Sequence, residues 1–375
     1  YVDAQWVFFD SSVSDEIKIL KTKLPRLKNI ISIDKKISDY ETLEEFISKF
    51  KDHDFVERSD PFSLSNNTFS RWPTGGTTGP SKGVEITNLN IITMYELGVK
   101  HYVGEDWSDV VHLTVAPITH AAGLLTGIFS CVGGTNIVSD GFNAAKVIAD
   151  IEAYNVTHIF LPPTAFYALL EEAKKNDCDL SSLRQILIAA APVSATKIEE
   201  GVEIFGPVIA QCYGQAEAPM LVSMMSSNQI NSAIKDDKKS RLESCGKITS
   251  CTNVMILDDQ GREVVTGKKG EICCRGPLVS AGYYNNKSAT ADARKFGWHH
   301  TGDIGYLDED GFLYIVDRKK DMIITGGFNV FATEVEAAIL ALDSVLECAV
   351  IGVPDDKWGE AIKAIVVLKE SYDFA

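Results

Sequence analysis

The chain has 375 residues, 45% hydrophobic and 23% charged, a balance that suits a folded protein with a substantial core. Its net charge of -16 argues against general nucleic-acid binding, which draws on a basic excess. No run approaches the ~20 apolar residues needed to span a bilayer. Eight cysteines show no metal-ligand spacing, and the adjacent Cys273 and Cys274 in an apolar run read as buried thiols, so a reducing cytoplasm is expected.

Taken in chain order, Trp6-Val7-Phe8-Phe9 reads as a strand. Leu43, Phe46, Ile47 and Phe50 recur at helical spacing and predict an amphipathic helix over 41–51 with these residues as its core stripe. A polar stretch, Ser59 to Ser70, leads into a glycine- and threonine-rich loop at 74–82. Asn88 is the expected cap of a helix beginning near Leu89. Buried strands are predicted at Val110–Val115, Thr157–Leu161, Gln185–Ala190 and Val208–Gln211, with helices at 121–131, 143–154, 164–176 and 194–204. Strands separated by helices predict an α/β fold with a mostly parallel sheet covered on both faces. Over about 240–316 the pattern turns to short β runs at 252–258, 269–275 and 312–316, a small β-rich subdomain. A charge cluster, Asp317 to Lys320, then marks a boundary, giving a large domain over 1–318 and an incomplete α+β domain over 319–375. In the latter a helix is predicted at 333–342 and strands at 345–353 and 361–368.

The loop carries the most information. Gly75, Gly76 and Gly79 allow backbone N–H groups to turn toward one point, Thr74, Thr77 and Thr78 add hydroxyls, and Lys82 adds a positive charge. This is chemistry for phosphate oxygens, although a flexible polar turn has the same composition. It is not the common P-loop, because Ser81 precedes the lysine and Gly83 follows it.

The loop resembles the phosphate loop of adenylate-forming enzymes: acyl-CoA synthetases, aryl-CoA ligases, luciferases and peptide-synthetase adenylation domains. Four later segments resemble the family in order. Tyr213-Gly214-Gln215-Ala216-Glu217 is similar to its Tyr-Gly-x-Thr-Glu, with Ala216 in place of the threonine. Gly270-Glu271-Ile272 through Gly282-Tyr283-Tyr284 is similar to the segment before its ribose-binding aspartate. Thr301-Gly302-Asp303 matches its Thr-Gly-Asp, and Asp317 to Asp321 with Gly326-Gly327-Phe328-Asn329 resembles its hinge region.

The resemblance implies ATP-dependent activation of a carboxylic acid to an acyl-adenylate, followed by transfer to the thiol of coenzyme A. Glu217 would hold Mg²⁺, Asp303 the ribose hydroxyls, and Arg318 the ribose or phosphate. Tyr213, with Gly214 beside it, would stack on adenine, and the small-residue turn Ala190-Ala191-Pro192 would face the base. His120, in a segment that resembles the acid-pocket lining, would sit beside the reacting carboxylate or the thiol's path. Lys320 matches the hinge, and Gly326, Gly327 and Trp358 would meet coenzyme A. Each also has a plain structural reading: a surface glutamate, a core tyrosine, a turn aspartate, a surface ion pair, a structural histidine, a buried tryptophan.

Read this way, the chain is an acyl- or aryl-CoA synthetase truncated at both ends, lacking the family's lysine near the C-terminus, with a mobile final piece. Loading of a carrier-protein thiol and a nucleotide-binding relative without catalysis are the alternatives. A small carboxylic acid is the expected partner, without nucleic acid or a membrane span, and a homodimer is left open.

Overall fold

A seven-stranded sheet runs through the centre of the computed structural model, in the order Lys247–Ile248, Ala218–Met225, Ile209–Gln215, Gln185–Ile188, His158–Leu161, Val111–Thr114, Thr135–Val138. Strands from Ile209–Gln215 onward in this order pair in parallel, and the first two join antiparallel. The structure describes residues 3–37, 39–51, 66–74, 81–175, 178–340, 342–355 and 357–369.

Four helices connect or flank the parallel strands: Ala121–Cys131, Ala144–Tyr154, Pro163–Ala173 and Ala195–Phe205. Their starts are set locally. Asn143 and Ser194 accept hydrogen bonds from the N–H groups three residues on, and Pro163 opens its helix where an N–H has no use. The strand Gln185–Ile188 shows why both faces are covered. Ile186 and Ile188 pack with Val147, Ile151, Phe166 and Ile198, while Leu187 points the other way into Met94, Leu97, Leu125 and Phe129. His158–Leu161 is buried along its whole length, as a central parallel strand must be.

Two expectations are corrected here. The helix Asn88–Gly98 is capped by Thr87, not Asn88. Thr87 is extended and accepts from Asn90 N–H at 3.2 Å, while the Asn90 side chain accepts from Thr87 N–H at 2.8 Å. That reciprocal pair needs a partner three residues on, and Thr87 has one. The helix predicted over 41–51 spans only Leu43–Ser48, and its apolar residues are not a core stripe: Ile47 is 53% and Phe50 51% exposed. They lie beside a small parallel sheet of Trp6–Phe9, Asn29–Ser32 and Glu41–Thr42, which buries Phe9 and Tyr40 but leaves Trp6 and Phe8 exposed.

Two smaller antiparallel sheets complete the surroundings of the site. One places Gly282–Tyr283 against Gly83–Thr87, which pairs with Thr68–Pro73. The other is Asn253–Leu257, Gly270–Arg275, His299–Leu307 and Leu313–Arg318, the β-rich region expected from the sequence. Its third strand was not foreseen, and it carries Thr301, Gly302 and Asp303, which therefore lie on a strand rather than in a turn. After Arg318 a further four-stranded sheet forms from Phe328–Val330, Ile323–Thr325, Gly359–Leu368 and Val345–Asp355. Helix Ala332–Leu340 packs on it through Ala332, against Ile323 and Val350.

Candidate active site

Ligands of parallel α/β sheets bind beyond the carboxyl ends of the strands. Three of the segments singled out from sequence lie there: Pro117–His120 after Val111–Thr114, Ala189–Pro192 after Gln185–Ile188, and Gly214–Glu217 at the end of Ile209–Gln215. Between the ends of three strands opens a largely apolar cavity of about 670 Å³, walled by Val115, Ile118, Val138, Phe142, Ala165 and Ala168 among others. Ala190, Ala191 and Pro192 are exposed. Ala190 has φ 80, a left-handed backbone that costs a residue with a Cβ about 1–2 kcal/mol.

The strand Ile209–Gln215 carries Tyr213 into the core, where only 8% of it is exposed. Its hydroxyl donates to Asp303 Oδ2 at 2.5 Å. Asp303 and Arg318 are register partners on adjacent strands, and Arg318 Nε lies 2.8 Å from Asp303 Oδ1. The aspartate side chain is 5% exposed and the arginine 59%. Burial pushes the Asp303 carboxyl up, against the pull of Tyr213 and Arg318. Burial and the neighbouring Asp303 push the Tyr213 phenol well above its ordinary value, so it stays a donor.

One turn further along lies a second tyrosine–carboxylate pair. Glu217 is 9% exposed, and Tyr283 donates its hydroxyl to Glu217 Oε1 at 2.7 Å. Gly214 makes the turn possible: a Cβ there would stand 2.5 Å from the backbone nitrogen of Met220 on the returning strand. Ala216, where the family carries threonine, puts its methyl against the apolar cluster of Val84, Ile86 and Ile91. Lys82 Nζ sits 4.8 Å from the centre of the Tyr283 ring.

The ends of the glycine-rich loop are tied together. Thr74 N–H donates to Lys82 C=O at 3.0 Å, Lys82 N–H to Thr74 Oγ1 at 3.3 Å, and Ser81 Oγ to Thr74 C=O at 2.7 Å. Gly75, Gly76, Thr77, Thr78 and Gly79 lie outside the described residues.

The remaining candidates separate into groups. His120 is exposed at the start of helix Ala121–Cys131, its Nδ1 2.9 Å from Thr119 Oγ1. Lys319, just before Lys320, is fixed to the β-rich sheet. Its N–H donates to Gly302 C=O at 2.8 Å, and its ammonium pairs with Asp259 at 2.8 Å and Glu271 at 3.1 Å. His300 Nδ1 lies 3.0 Å from the same Glu271 carboxylate. Gly326 and Trp358 meet each other at two turns of the final sheet. Gly326 N–H donates to Trp358 C=O at 2.8 Å, and a Cβ on Gly326 would press on the indole at 2.8 Å. Gly326 and Gly327 have φ of 56 and 83, and Trp358 is 51% exposed rather than buried in a core.

Residues 2–284 match the AMP-binding enzyme family, and residues 334–374 match the AMP-binding enzyme C-terminal domain. The chain belongs to the AMP-binding enzyme family. Over 299 residues it is 40% identical to the medium/long-chain-fatty-acid–CoA ligase FadD8 of Mycobacterium tuberculosis, covering 80% of this chain and 51% of that one. Over 303 residues it is 35% identical to a feruloyl-CoA synthase of an Amycolatopsis species, covering 78% and 58%. It therefore spans about half the length of the curated relatives it matches. ATP-bound MatB from Rhodopseudomonas palustris superposes with a TM-score of 0.84 at 26% identity, over 100% of this chain and 71% of that one. MenE from Bacillus subtilis, in complex with ATP and magnesium, gives a TM-score of 0.79 at 28% identity over 97% and 70%. The α/β fold expected from the sequence is that of these AMP-binding enzymes.

Sequence reasoning assigned no role to Tyr283, although it quoted the residue within Gly282-Tyr283-Tyr284. Nothing local marks it. Its partner Glu217 lies 66 residues earlier, in the hairpin turn of another sheet, so only the folded chain brings them together.

Proposed function

We propose that this chain is part of an AMP-forming acid–CoA ligase that activates an aliphatic carboxylic acid. The observation that carries the reading is the single hairpin Ile209–Met225, which ties two buried carboxylates to one strand end: Asp303 through Tyr213 and Glu217 at its turn. The boundary between a large domain over 1–318 and a mobile domain over 319–375 is part of the same proposal.

In the first step an oxygen of the acid attacks the α-phosphorus of ATP, and the bond to pyrophosphate breaks. Two anions must come together, so the site has to hold and screen them. Thr74 and Lys82, at the tied ends of the loop that runs through Gly75, Gly76, Thr77, Thr78 and Gly79, receive the outer phosphates. Asp303 accepts from the two ribose hydroxyls, with Arg318 beside it. Adenine lies against the exposed Ala190–Pro192 turn, with Tyr213 and Gly214 beneath. Glu217 suits Mg²⁺, because a hard cation takes one or two carboxylates and completes its shell with phosphate oxygens. The ion would supply charge screening at the phosphates. His120, two residues after the wall residue Ile118, would sit beside the reacting carboxylate or the thiol's path. In the second step the coenzyme A thiol attacks the acyl carbon and AMP leaves. Lys320 is the pivot, and Gly326, Gly327 and Trp358 meet the pantetheine.

The apolar cavity supports an aliphatic acid of medium or long chain, since its walls are mainly Val, Ile, Ala and Pro. The resemblance to a medium/long-chain-fatty-acid–CoA ligase supports the same class. All eight cysteines are unpaired, which fits a reducing cytoplasm, and no helix among the described residues is long and apolar enough to cross a membrane. The test is acid-dependent AMP release with coenzyme A across a panel of aliphatic and aromatic acids. Release only with a carrier-protein acceptor, or nucleotide binding without release, would favour the two alternative readings.

A further inference from the structure

We propose that Tyr283 is a positioning residue for the metal–nucleotide complex, fixing the rotation of Glu217 and seating Lys82 over the same ring. The inference rests on the reading of Glu217 as the Mg²⁺ ligand.

Two side-chain contacts and one backbone pairing converge on this residue. The hydroxyl donates to Glu217 Oε1 at 2.7 Å. Lys82 Nζ lies 4.8 Å from the ring centre. The backbone of Tyr283 pairs with Val84, and Tyr284 N–H donates to Gly83 C=O at 2.8 Å, directly behind Lys82. On the other side Ser280 N–H donates to Glu217 C=O at 2.8 Å and Ala281 N–H to Glu85 C=O at 2.8 Å. Residues 280–284 thus stitch the turn that carries Glu217 to the strand that follows the phosphate loop.

The chemistry of the donor matters. Asp303 is paired with a guanidinium, which offsets its charge. Glu217 is held by a neutral hydroxyl, which fixes one oxygen without bringing an opposing charge. Among the described residues no hydrogen-bond partner engages Oε2, so that oxygen is the one left for a cation. A group that orients a metal ligand through its outer oxygen typically changes metal affinity about 10–100-fold when removed. The stacked ammonium adds a second function: the ring sets where Lys82 starts its reach, so the cation on the phosphates and the carboxylate on the metal share one support.

The two functions can be separated by substitution. Tyr283→Phe keeps the ring and removes the hydroxyl, while Tyr283→Leu removes both. ATP binding is followed by calorimetry as Mg²⁺ is titrated, without acid or coenzyme A, so no turnover is involved. Tyr283→Phe is expected to raise the Mg²⁺ concentration for half-maximal enhancement of ATP binding about 10-fold, with metal-free ATP binding unchanged. Tyr283→Leu is expected to do the same and also to weaken metal-free ATP binding several-fold. Glu217→Gln serves as reference and should abolish the enhancement. A Tyr283→Phe protein with the wild-type Mg²⁺ dependence, beside a Glu217→Gln protein that has lost it, would overturn the positioning role alone. If Glu217→Gln itself keeps the enhancement, the reading of Glu217 fails first. Thermal unfolding of each variant in the absence of ligand separates misfolding from either result, and the Phe variant, which loses one hydroxyl, is the one that decides.

Discussion

Asp303 and Arg318 face each other across neighbouring antiparallel strands, Nε to Oδ1 at 2.8 Å, and Tyr213 closes on the other carboxylate oxygen. The aspartate is almost wholly buried while its arginine partner is mostly in water. That asymmetry leaves the desolvation of the carboxylate incompletely offset, and its pKa is raised. A raised carboxyl pKa favours the folded state below the unfolded value of 3.8 and withdraws that advantage as pH rises through the folded value. At neutral pH Asp303 is therefore a group retained at some cost to stability. Asp303→Asn should weaken ATP binding at least 10-fold yet raise unfolding stability at pH 7 by about 0.5–2 kcal/mol, the usual scale of a function–stability conflict. Calorimetry and denaturant unfolding measure the two sides. A variant that is both weaker in binding and less stable would show that the aspartate is chiefly structural.

Glu217→Gln should remove Mg²⁺-dependent adenylation, with a loss of 100-fold or more in acid-dependent pyrophosphate exchange, an effect on the order of 3 kcal/mol. The amide can still accept from Tyr283, so the melting temperature should move little. Exchange at the wild-type rate would show that another carboxylate holds the metal.

Ala190 occupies left-handed backbone at φ 80 in the exposed turn assigned to adenine. Ala190→Gly relieves the Cβ clash but adds freedom to the unfolded chain, which costs about 0.4–1 kcal/mol. The net expectation is a gain of up to about 1 kcal/mol, read as a higher denaturant midpoint with an unchanged slope. A lower midpoint would show that the methyl makes contacts that outweigh the strain.

His112 and His158 are register partners in the centre of the parallel sheet, each 1% exposed. Burial brings the His112 pKa to about 4 and, first among several causes, brings that of His158 to about 3. Both lie below the unfolded value of 6.5, so the unfolded chain takes up protons first. Stability from this pair is complete above pH 6.5 and falls as pH drops toward about 4 and then about 3. His112 stacks on Phe129 at 4.2 Å, and its Nε2 has no partner among the described residues. His112→Phe keeps an aromatic ring there. It should flatten the fall in stability between pH 6 and 4.5 by up to about 1.4 kcal/mol per pH unit. An unchanged slope would place the acid sensitivity elsewhere.

Lys319 is fastened to the β-rich sheet by its backbone and by Asp259 and Glu271, and the pivot proposed at Lys320 comes directly after it. Lys320→Pro locks φ there. Thioester formation should fall at least 10-fold more than acyl-adenylate formation, measured as separate half-reactions. Equal losses in both would place the pivot elsewhere.

Much of this molecule is legible locally, because strand and helix periods, caps and glycine turns are written in neighbouring residues. The buried strands His158–Leu161 and Gln185–Ile188 and the helix between them could be read that way, and so could the order of segments that carry Thr74, Lys82, Glu217 and Asp303. Where two local signals compete, the sequence misleads: Thr87 and Asn88 both suit a cap, and only Asn90 three residues beyond Thr87 decides between them. The apolar stripe of Leu43–Ser48 has the right period, but among the described residues no second layer buries it, which periodicity cannot reveal. The pairings that make the site are a matter of tertiary structure alone. Tyr213 finds Asp303 across 90 residues, Tyr283 finds Glu217 across 66, and Gly326 finds Trp358 in the turn before Gly359–Leu368. A hydroxyl or a carboxylate carries no local mark of its distant partner. Burial raises the energetic stake of satisfying that group, and the packing of separate sheets determines which partner is within reach.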